Sequence, residues 1–345
     1  MLVPPRGLPP PSLPETSRTP EIVSFLLVPG FTLMAFTSAI EALRLANLLS
    51  GRELYRPVLV SRDGAAEASS AGIAVTANLP ISRAHALATV VVCGGIDGHL
   101  YADPAVLAWL RRLAAGGATI GSLCTGSHIL ARAGLLEGYR CTIHWENLAG
   151  FAKAFPRLDA TGTLFTIDRK RFTCAGGIAA LDLMLGRIGA RHGPDLAAAI
   201  AEQLLHDRIR AGDAAQRAAA LPDPRVASAE LAAALLAMRG TLEAPVPILA
   251  IALRAGTSRR RLERLFQRSF GCSPARHYLR LRLQRAQQLL AQTGLSVTDV
   301  SYSCGFASPG HFSRSYRAAF GATPRTDRLA PRRGSAPTPT HGDHP

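Results

Sequence analysis

The stretch AGTSRRRLERLFQRSFGCSPARHYLRLRL at residues 255–283 is matched further along the chain by GFASPGHFSRSYRAAFGATPRTDR at residues 305–328. The two stretches form an internal repeat with a period of 50 residues. Five positions are identical in both copies: Ser258 and Ser308, Arg264 and Arg314, Phe270 and Phe320, Gly271 and Gly321, and Pro274 and Pro324.

Each copy is preceded by a short apolar helix pattern and a glycine, one residue out of phase with the rest of the repeat. The corresponding residues are Ile248, Ile251 and Gly256 in the first copy and Val297, Val300 and Gly305 in the second. A short apolar helix, a glycine turn and a serine-capped second helix make up a helix-turn-helix. We therefore predict two such units, at about 247–270 and 296–320, in an all-α C-terminal domain. The pair Ser273-Pro274 predicts a long helix to about Gln292 that fixes the two units rigidly.

The second helix of each unit has one apolar face and one polar face. At about 100° per residue, Leu262 and Phe266 face inward in the first copy, as do Phe312 and Tyr316 in the second. Arginine and glutamine side chains can hydrogen-bond base edges in the major groove, and the serine caps leave helix N-termini for phosphates. The predicted DNA-contacting residues are Ser258, Arg260, Arg261, Arg264, Gln267, Arg268, Ser308, Arg314 and Arg317.

Positive charge is concentrated in this part of the chain. The formal net charge is +15, and residues 245–330 hold fourteen arginines against three acidic residues, a net of +11. Such a segment favours a polyanion partner, either nucleic acid or an anionic membrane. The arginines follow helix faces that are separated by glycine turns, and no long amphipathic apolar face accompanies them. We therefore predict double-stranded DNA as the partner and no membrane binding.

The N-terminal region alternates apolar strand patterns with helix patterns. Strands are predicted at 21–28, 56–61, 89–93 and 118–123, a hairpin at 164–174, and helices at 34–48, from Pro104 after the capping residue Asp103, at 177–191 and at 194–211. The run EIVSFLLV at 21–28 is typical of a strand buried on both faces. This alternation predicts an α/β fold: a flavodoxin-like, mostly parallel sheet with flanking helices.

These patterns divide the chain into five segments. We predict a disordered leader at 1–20, an α/β domain at 21–211, a linker at 212–228, the all-α domain at 229–330 and a disordered tail at 331–345. Neither a signal peptide nor an apolar run of about 20 residues is visible, which favours a cytoplasmic protein. The six cysteines are scattered without a CxxC pair, so no disulfide framework, metal site or cofactor is predicted.

One cysteine is placed differently from the others. In ATIGSLCTGSHILARAGLL, residues 118–136, Cys124 stands where a strand ends and a helix begins. A helix N-terminus at this point is expected to lower the pKa of the thiol. We expect Gly121 and Gly126 to allow the sharp turn.

The repeat resembles the DNA-binding domain of the AraC/XylS family over about 85 residues. One departure is Gly310, where the family often has a polar residue, so base reading by the second copy would depend on Arg314 and Arg317. Residues 21–200 resemble the class I glutamine amidotransferase-like superfamily, which includes PfpI-type intracellular proteases. Enzymes of that superfamily have a glutamate soon after the first strand. In VPGFTLMAFTSAIEAL, residues 28–43, the positions soon after the strand hold Thr32, Leu33, Met34 and Ala35, and the first acidic residue is Glu41.

A second departure follows the cysteine itself, where many hydrolases have a histidine and this chain has Thr125. A thiol without a base or acid partner lacks its usual activation, so no catalytic residue is predicted. His128 and His144 leave a partner for the thiol possible. The alternative interpretation is therefore a cysteine-dependent hydrolase or amidase with an attached DNA-binding domain, which turnover of a substrate would reveal.

With both domains together, the chain resembles the GlxA-type branch of transcriptional regulators. Within that branch it looks most like members that control catabolism of arginine, glycine betaine or carnitine. The resemblance implies a homodimeric transcription regulator that responds to a small amino- or ammonium-bearing effector. Trp145 would offer a cation–π face and Glu146 a counter-charge, although ordinary core packing would explain Trp145 and His144 equally well. The predicted ligand-binding residues are Cys124, Thr125, His144, Trp145, Glu146, Asp97 and His99.

Overall fold

The computed structural model of the chain describes residues 19–95, 97–216 and 228–329. They form two compact units, which contain the described residues of 19–216 and of 228–329 respectively. Residues 1–18 of the predicted leader, the predicted tail, and residues 217–227 of the predicted linker lie outside the described residues.

The first unit contains a seven-stranded sheet and two small two-stranded sheets. Its strands are β1 (Glu21–Leu27), β2 (Tyr55–Ser61), β3 (Glu67–Ala68), β4 (Ala74–Val75), β5 (Leu79–Pro80), β6 (Thr89–Cys93), β7 (Thr119–Leu123), β8 (Arg140–Thr142), β9 (Asp159–Thr161), β10 (Phe165–Asp168) and β11 (Arg171–Cys174). The large sheet has the order β10-β11-β7-β6-β1-β2-β5. All neighbouring pairs are parallel except the hairpin β10–β11. The predicted parallel sheet is confirmed.

Helices cover both faces of this sheet. They are α1 (Leu33–Ser50), α2 (Pro104–Ala115), α3 (Gly126–Arg132), α4 (Trp145–Ala154), α5 (Ala179–His192) and α6 (Pro194–Gln203). Alternation along β1 supplies both cores, since Phe25 and Leu27 pack with α1, α5 and α6 whereas Leu26 packs with α2, α3 and α4. As predicted, α2 begins at Pro104, and the Asp103 carboxylate accepts hydrogen bonds from the backbone N–H groups of Ala105 and Val106 at 2.8 and 2.9 Å.

Helix α1 is the one helix among the described residues whose length and composition would allow it to cross a membrane. The helix has 18 residues, and its periodicity predicted a helix at 34–48. Seven of them are buried, including Phe36 and Leu43, and they pack in the core with α5 and α6. The helix is part of the core of the α/β unit.

Helix α6 is shorter than predicted, because it ends at Gln203 and not near residue 211. The chain then turns at Leu205, which has a φ of 52°. The turn brings His206 and Arg210 onto the fully buried carboxylate of Asp182 in α5. The His206 Nε2 lies 2.9 Å from Asp182 Oδ1, and the guanidinium Nη2 of Arg210 donates to Oδ2 at 2.6 Å. This buried ion-pair network replaces the last predicted turns of the helix.

The second unit is all helical in its described part. Its helices are α7 (Ala229–Gly240), α8 (Ile248–Arg254), α9 (Arg259–Phe270), α10 (Pro274–Gln292), α11 (Val297–Ser303), α12 (Pro309–Phe320) and α13 (Pro324–Leu329). The predicted helix-turn-helix units are α8–α9 and α11–α12. Helices α8 and α11 begin 49 residues apart and α9 and α12 begin 50 apart, so the extra residue lies in the second turn.

Each helix-turn-helix unit has a core of its own. The first core contains Leu262 and Phe266 of α9 together with Tyr278 from the start of α10, and the second contains Phe312 and Tyr316 of α12 together with residues 283–290 of α10. Helix α10 thus contributes to both cores, as the sequence predicted for a rigid connector.

Candidate functional site

The second helices of both units present basic outer faces. Leu262 and Phe312 are fully buried, whereas Arg264 and Arg314 are exposed. The hydroxyl oxygens of the two serine caps accept hydrogen bonds from the third residue of each helix, at 3.3 Å for Ser258 and 3.2 Å for Ser308. Both helices end at a glycine in the left-handed region. The outward faces are thus available to a groove of DNA.

The predicted DNA-contacting side chains differ in their surroundings. Arg264 and Arg314 take part in no ion pair among the described residues. The Arg261 guanidinium instead donates to the Glu230 carboxylate at 2.7 Å, which ties α9 to α7. The remaining predicted residues are exposed: Ser258, Arg260, Gln267, Arg268, Ser308 and Arg317.

The departure at Gly310 has a local consequence. A Cβ built on Gly310 would lie 3.7 Å from Nη1 of Arg314, so the guanidinium lies back over this residue on the outer face of α12. His311, which the sequence analysis did not single out, is also exposed in the first turn of α12. Its position three residues after the cap was the signal that could have included it.

The second candidate site lies at the carboxyl edge of the parallel sheet. In parallel sheets ligands bind at this edge, where the strand order reverses, here between β1 and β6. The two strand ends are in close contact, because the Thr32 backbone N–H donates to the Gly94 carbonyl at 3.0 Å. A Cβ on Gly95 would lie only 1.6 Å from the Gly30 carbonyl oxygen, so no larger residue fits there.

Cys124 follows β7 at this edge. Its own φ is 56°, so the cysteine itself makes the sharp turn. The expectation that Gly121 and Gly126 allow the turn is wrong, since neither has a positive φ. They permit close packing instead: a Cβ would meet the Phe172 ring at Gly121 and the Val92 carbonyl at Gly126.

The Cys124 thiol is buried, with 9% of the residue exposed. Burial raises the pKa of this thiol, although the Thr32 side chain and the Thr125 backbone favour the thiolate through hydrogen bonds. The negative charge of Glu146 raises the pKa further. The expectation of a lowered pKa is therefore wrong, because desolvation outweighs what a seven-residue helix α3 and two hydrogen bonds supply. Thr32, noted in the sequence only as a departure, is part of the site.

Loop 97–99 lies over the residue after the cysteine. The Thr125 hydroxyl donates to the Gly95 carbonyl, and a Cβ on Gly98 would lie 2.2 Å from that hydroxyl oxygen. His99 is buried with 4% exposed, whereas Asp97 is exposed. The structure thus places Thr125 against the loop that contains His99, with Asp97 exposed on the same loop.

The start of α4 contributes the other predicted ligand residues. His144 is the N-cap residue, and its Nδ1 lies 3.8 Å from Glu146 Oε2. Burial lowers the pKa of His144, and Glu146 partly opposes this. Trp145 is 36% exposed, and its ring centroid lies 5.6 Å from that of His144. Core packing therefore does not account for Trp145.

His128, one helical turn after Cys124, is 2% exposed. Its pKa is lowered to about 3 by burial first, and then by the nearby positive charges of His99 and Arg132. In the unfolded chain His128 is protonated below about pH 6.5. In the folded chain it stays neutral until about pH 3. Stability is therefore lost as the pH falls through this window.

We expect His128 alone to lower the free energy of unfolding by about 2 kcal/mol between pH 7 and pH 5. Replacing it by phenylalanine, which suits its aromatic neighbours, should remove that part of the pH dependence. Both tryptophans, Trp109 and Trp145, lie in the α/β unit, so denaturation followed by tryptophan fluorescence reports on this unit. His85→Ala replaces an exposed histidine and should follow the wild-type curve. Equal pH dependence in wild type and His128→Phe would contradict the assignment.

The fold and the two sites define a class: a DNA-binding protein with paired helix-turn-helix units and an α/β domain that bears a buried cysteine. The family described as "Helix-turn-helix domain" matches residues 251–330, and the "DJ-1/PfpI family" matches residues 22–181. The chain is 44% identical over 318 residues to the HTH-type transcriptional regulator GbdR of Pseudomonas aeruginosa, covering 92% of this chain and 87% of that one. It is 38% identical over 309 residues to the HTH-type transcriptional regulator GlxA of Rhizobium meliloti, covering 89% and 95%.

Among solved structures, an AraC family transcriptional regulator from Pseudomonas putida matches with 33% identity and a TM-score of 0.49, over 54% of this chain and all of that one. The chain belongs to the AraC-type helix-turn-helix transcriptional regulators with an N-terminal DJ-1/PfpI domain. The predicted family and the predicted function as a DNA-binding transcription regulator are confirmed.

Proposed function

We propose that the α/β unit senses a small amino- or ammonium-bearing effector beside Cys124 and does not catalyse a reaction. The observation that carries this proposal is the buried thiol, whose pKa is raised and whose neighbour is the neutral Thr32. A cysteine nucleophile needs an activating base or a lowered pKa. A neutral thiol in a closed turn suits binding better than attack on a substrate.

The charge and shape of the neighbouring residues support a cationic effector. Trp145 is partly exposed at the start of α4, and the exposed Glu146 follows it. An aromatic face and a carboxylate together suit an ammonium group. In this proposal the protein acts in the cytoplasm as a homodimer, and the effector sets its activity on double-stranded DNA.

A cysteine-dependent hydrolase is the second candidate. One observation favours it: the φ of 56° at Cys124 reproduces the strained strand-to-helix turn that exposes nucleophiles in some hydrolases. Incubating the protein with each metabolite and assaying for product distinguishes the two functions. A product formed by wild type and lost in Cys124→Ser would establish the hydrolase.

We expect calorimetry with L-arginine, glycine betaine and carnitine to find one that binds, and Trp145→Ala to weaken that binding. A desolvated cation–π contact is worth about 2 kcal/mol, so the affinity should fall roughly 30-fold. Cys124→Ser should change it by less than about tenfold. Ile167→Ala, which truncates an exposed residue of β10, is the matched control. Unchanged affinity in Trp145→Ala would place the pocket elsewhere, and no binding at all would refute the effector class.

A further inference from the structure

Two buried polar side chains, one of them four residues after Cys124, carry atoms that have no hydrogen-bond partner in the described part of the chain. His128 is 2% exposed, and within the described residues neither of its ring nitrogens has a hydrogen-bond partner. The side-chain oxygen of Asn147, a residue 6% exposed, also lacks a partner among them. Buried polar groups are nearly always paired, so each such group calls for an explanation.

These groups meet where loop 97–99, α3 and the start of α4 converge. The ring centroid of His128 lies 6.2 Å from that of His99 and 5.0 Å from that of Phe151. Asn147 and Phe151 are both buried on α4, and a spacing of four residues puts them on the same helix face. His128 therefore borders His99 of loop 97–99 on one side and, on the other, the face of α4 to which Phe151 and Asn147 belong.

The apolar surroundings of His128 make it energetically unfavourable to bury the polar atoms of its ring. Phe151 and Phe155 pack against its ring at 5.0 and 6.0 Å, an environment that an apolar side chain would fill without loss. A neutral imidazole instead buries one N–H donor and one acceptor. The lowered pKa keeps this ring neutral at physiological pH, so it offers an uncharged N–H.

We propose that His128 and Asn147 form the polar floor of the effector site, and that the His128 N–H donates a hydrogen bond to a carboxylate of the effector. This inference rests on the proposed function and adds to it, since it requires a zwitterion: a cationic group toward Trp145 and Glu146 and a carboxylate toward His128. A ring N–H without a partner among the described residues would then make a charge-assisted hydrogen bond in the complex.

The test combines protein variants with ligands that lack the carboxylate. Wild type and His128→Phe are titrated by calorimetry with L-arginine, glycine betaine and carnitine, and with agmatine and choline as amines without a carboxylate. We expect His128→Phe to bind the carboxylate-bearing ligand about 10- to 100-fold more weakly, the usual value of a hydrogen bond to a charged group. The carboxylate-free amines should bind wild type and His128→Phe equally weakly. The substitution and the missing carboxylate each remove the same hydrogen bond, so their effects should not add.

Two further variants complete the design. His128→Gln retains a donor and an acceptor and should recover part of the affinity, and His85→Phe should bind as wild type. His128→Phe should also unfold at the wild-type denaturant concentration or above, which separates lost binding from lost folding. Full affinity in a folded His128→Phe would overturn this inference and leave the proposed function standing. A His128→Phe variant that is strongly destabilised but still binds the effector would show that structural water satisfies the histidine. That result would also overturn this inference. Failure of every zwitterion to bind wild type would refute both.

Discussion

Replacing Arg210 by alanine is expected to lower the free energy of unfolding of the α/β unit by about 3–5 kcal/mol. The Asp182 carboxylate is fully buried and accepts hydrogen bonds from Arg210 Nε at 2.9 Å, Arg210 Nη2 at 2.6 Å and the Arg210 backbone N–H at 2.8 Å. Without the guanidinium, the buried carboxylate retains the Arg210 backbone N–H and His206 as its partners among the described residues. Leaving one partner of a buried ion pair uncompensated is among the costliest single changes.

Urea denaturation followed by tryptophan fluorescence measures this loss in the full chain. Arg208→Ala is the matched control, because Arg208 is exposed two residues away and its loss should change stability by at most about 0.5 kcal/mol. Adding Asp182→Asn to Arg210→Ala should restore part of the stability, since no ionised group then stays buried. A loss in Arg210→Ala no larger than in Arg208→Ala would show that the network is not part of the fold's stability.

Arg264→Ala and Arg314→Ala should each weaken binding to the specific operator by about 1–3 kcal/mol. Both side chains are exposed at equivalent positions of α9 and α12, and neither is engaged in an ion pair among the described residues. A base contact is lost only at the specific site, so affinity for random DNA should fall much less. The double variant should lose about the sum of the two, because the arginines read separate positions.

Fluorescence anisotropy with an operator duplex and a scrambled duplex at one salt concentration provides the comparison. Arg239→Ala, an exposed arginine at the end of α7, controls for the loss of one positive charge. Equal losses of affinity for both duplexes would indicate that the two arginines contact phosphates and not bases. No loss on either would reject the assignment of the outer faces.

Periodicity predicted most of the fold because each element carries its own local signal. Asp103-Pro104 sets the start of α2, and Ser258 and Ser308 set the starts of the two outer helices. The end of α6 was missed because its cause is distant: His206 and Arg210 bond to Asp182, which lies 24 and 28 residues earlier. Long-range polar contacts leave no periodic trace in a sequence.

At the candidate site, the strand-to-helix boundary at Cys124 was predictable, but the direction of the pKa shift of its thiol was not. The strand-to-helix boundary located Cys124, yet the sign of its pKa shift depends on burial by segments far away in sequence. Gly176 packs so closely that a Cβ there would lie 2.8 Å from Cys124 Cβ. The lack of hydrogen-bond partners for the His128 ring among the described residues could not be predicted from the sequence either, because it depends on the three-dimensional packing around the ring.

Helix α10 belongs to the cores of both helix-turn-helix units, and this limits how the protein can evolve. A helix turns about 100° and advances about 1.5 Å with each residue. Substitutions on its exposed side leave both cores in place, but inserting or deleting one residue would rotate one unit against the other by more than a quarter turn. Selection can therefore change the residues of α10 freely on one side while its length stays fixed. Descendants of this regulator can recognise new operators through substitutions in α9 and α12. The rotational spacing along the DNA between the sites that these two helices contact must stay the same.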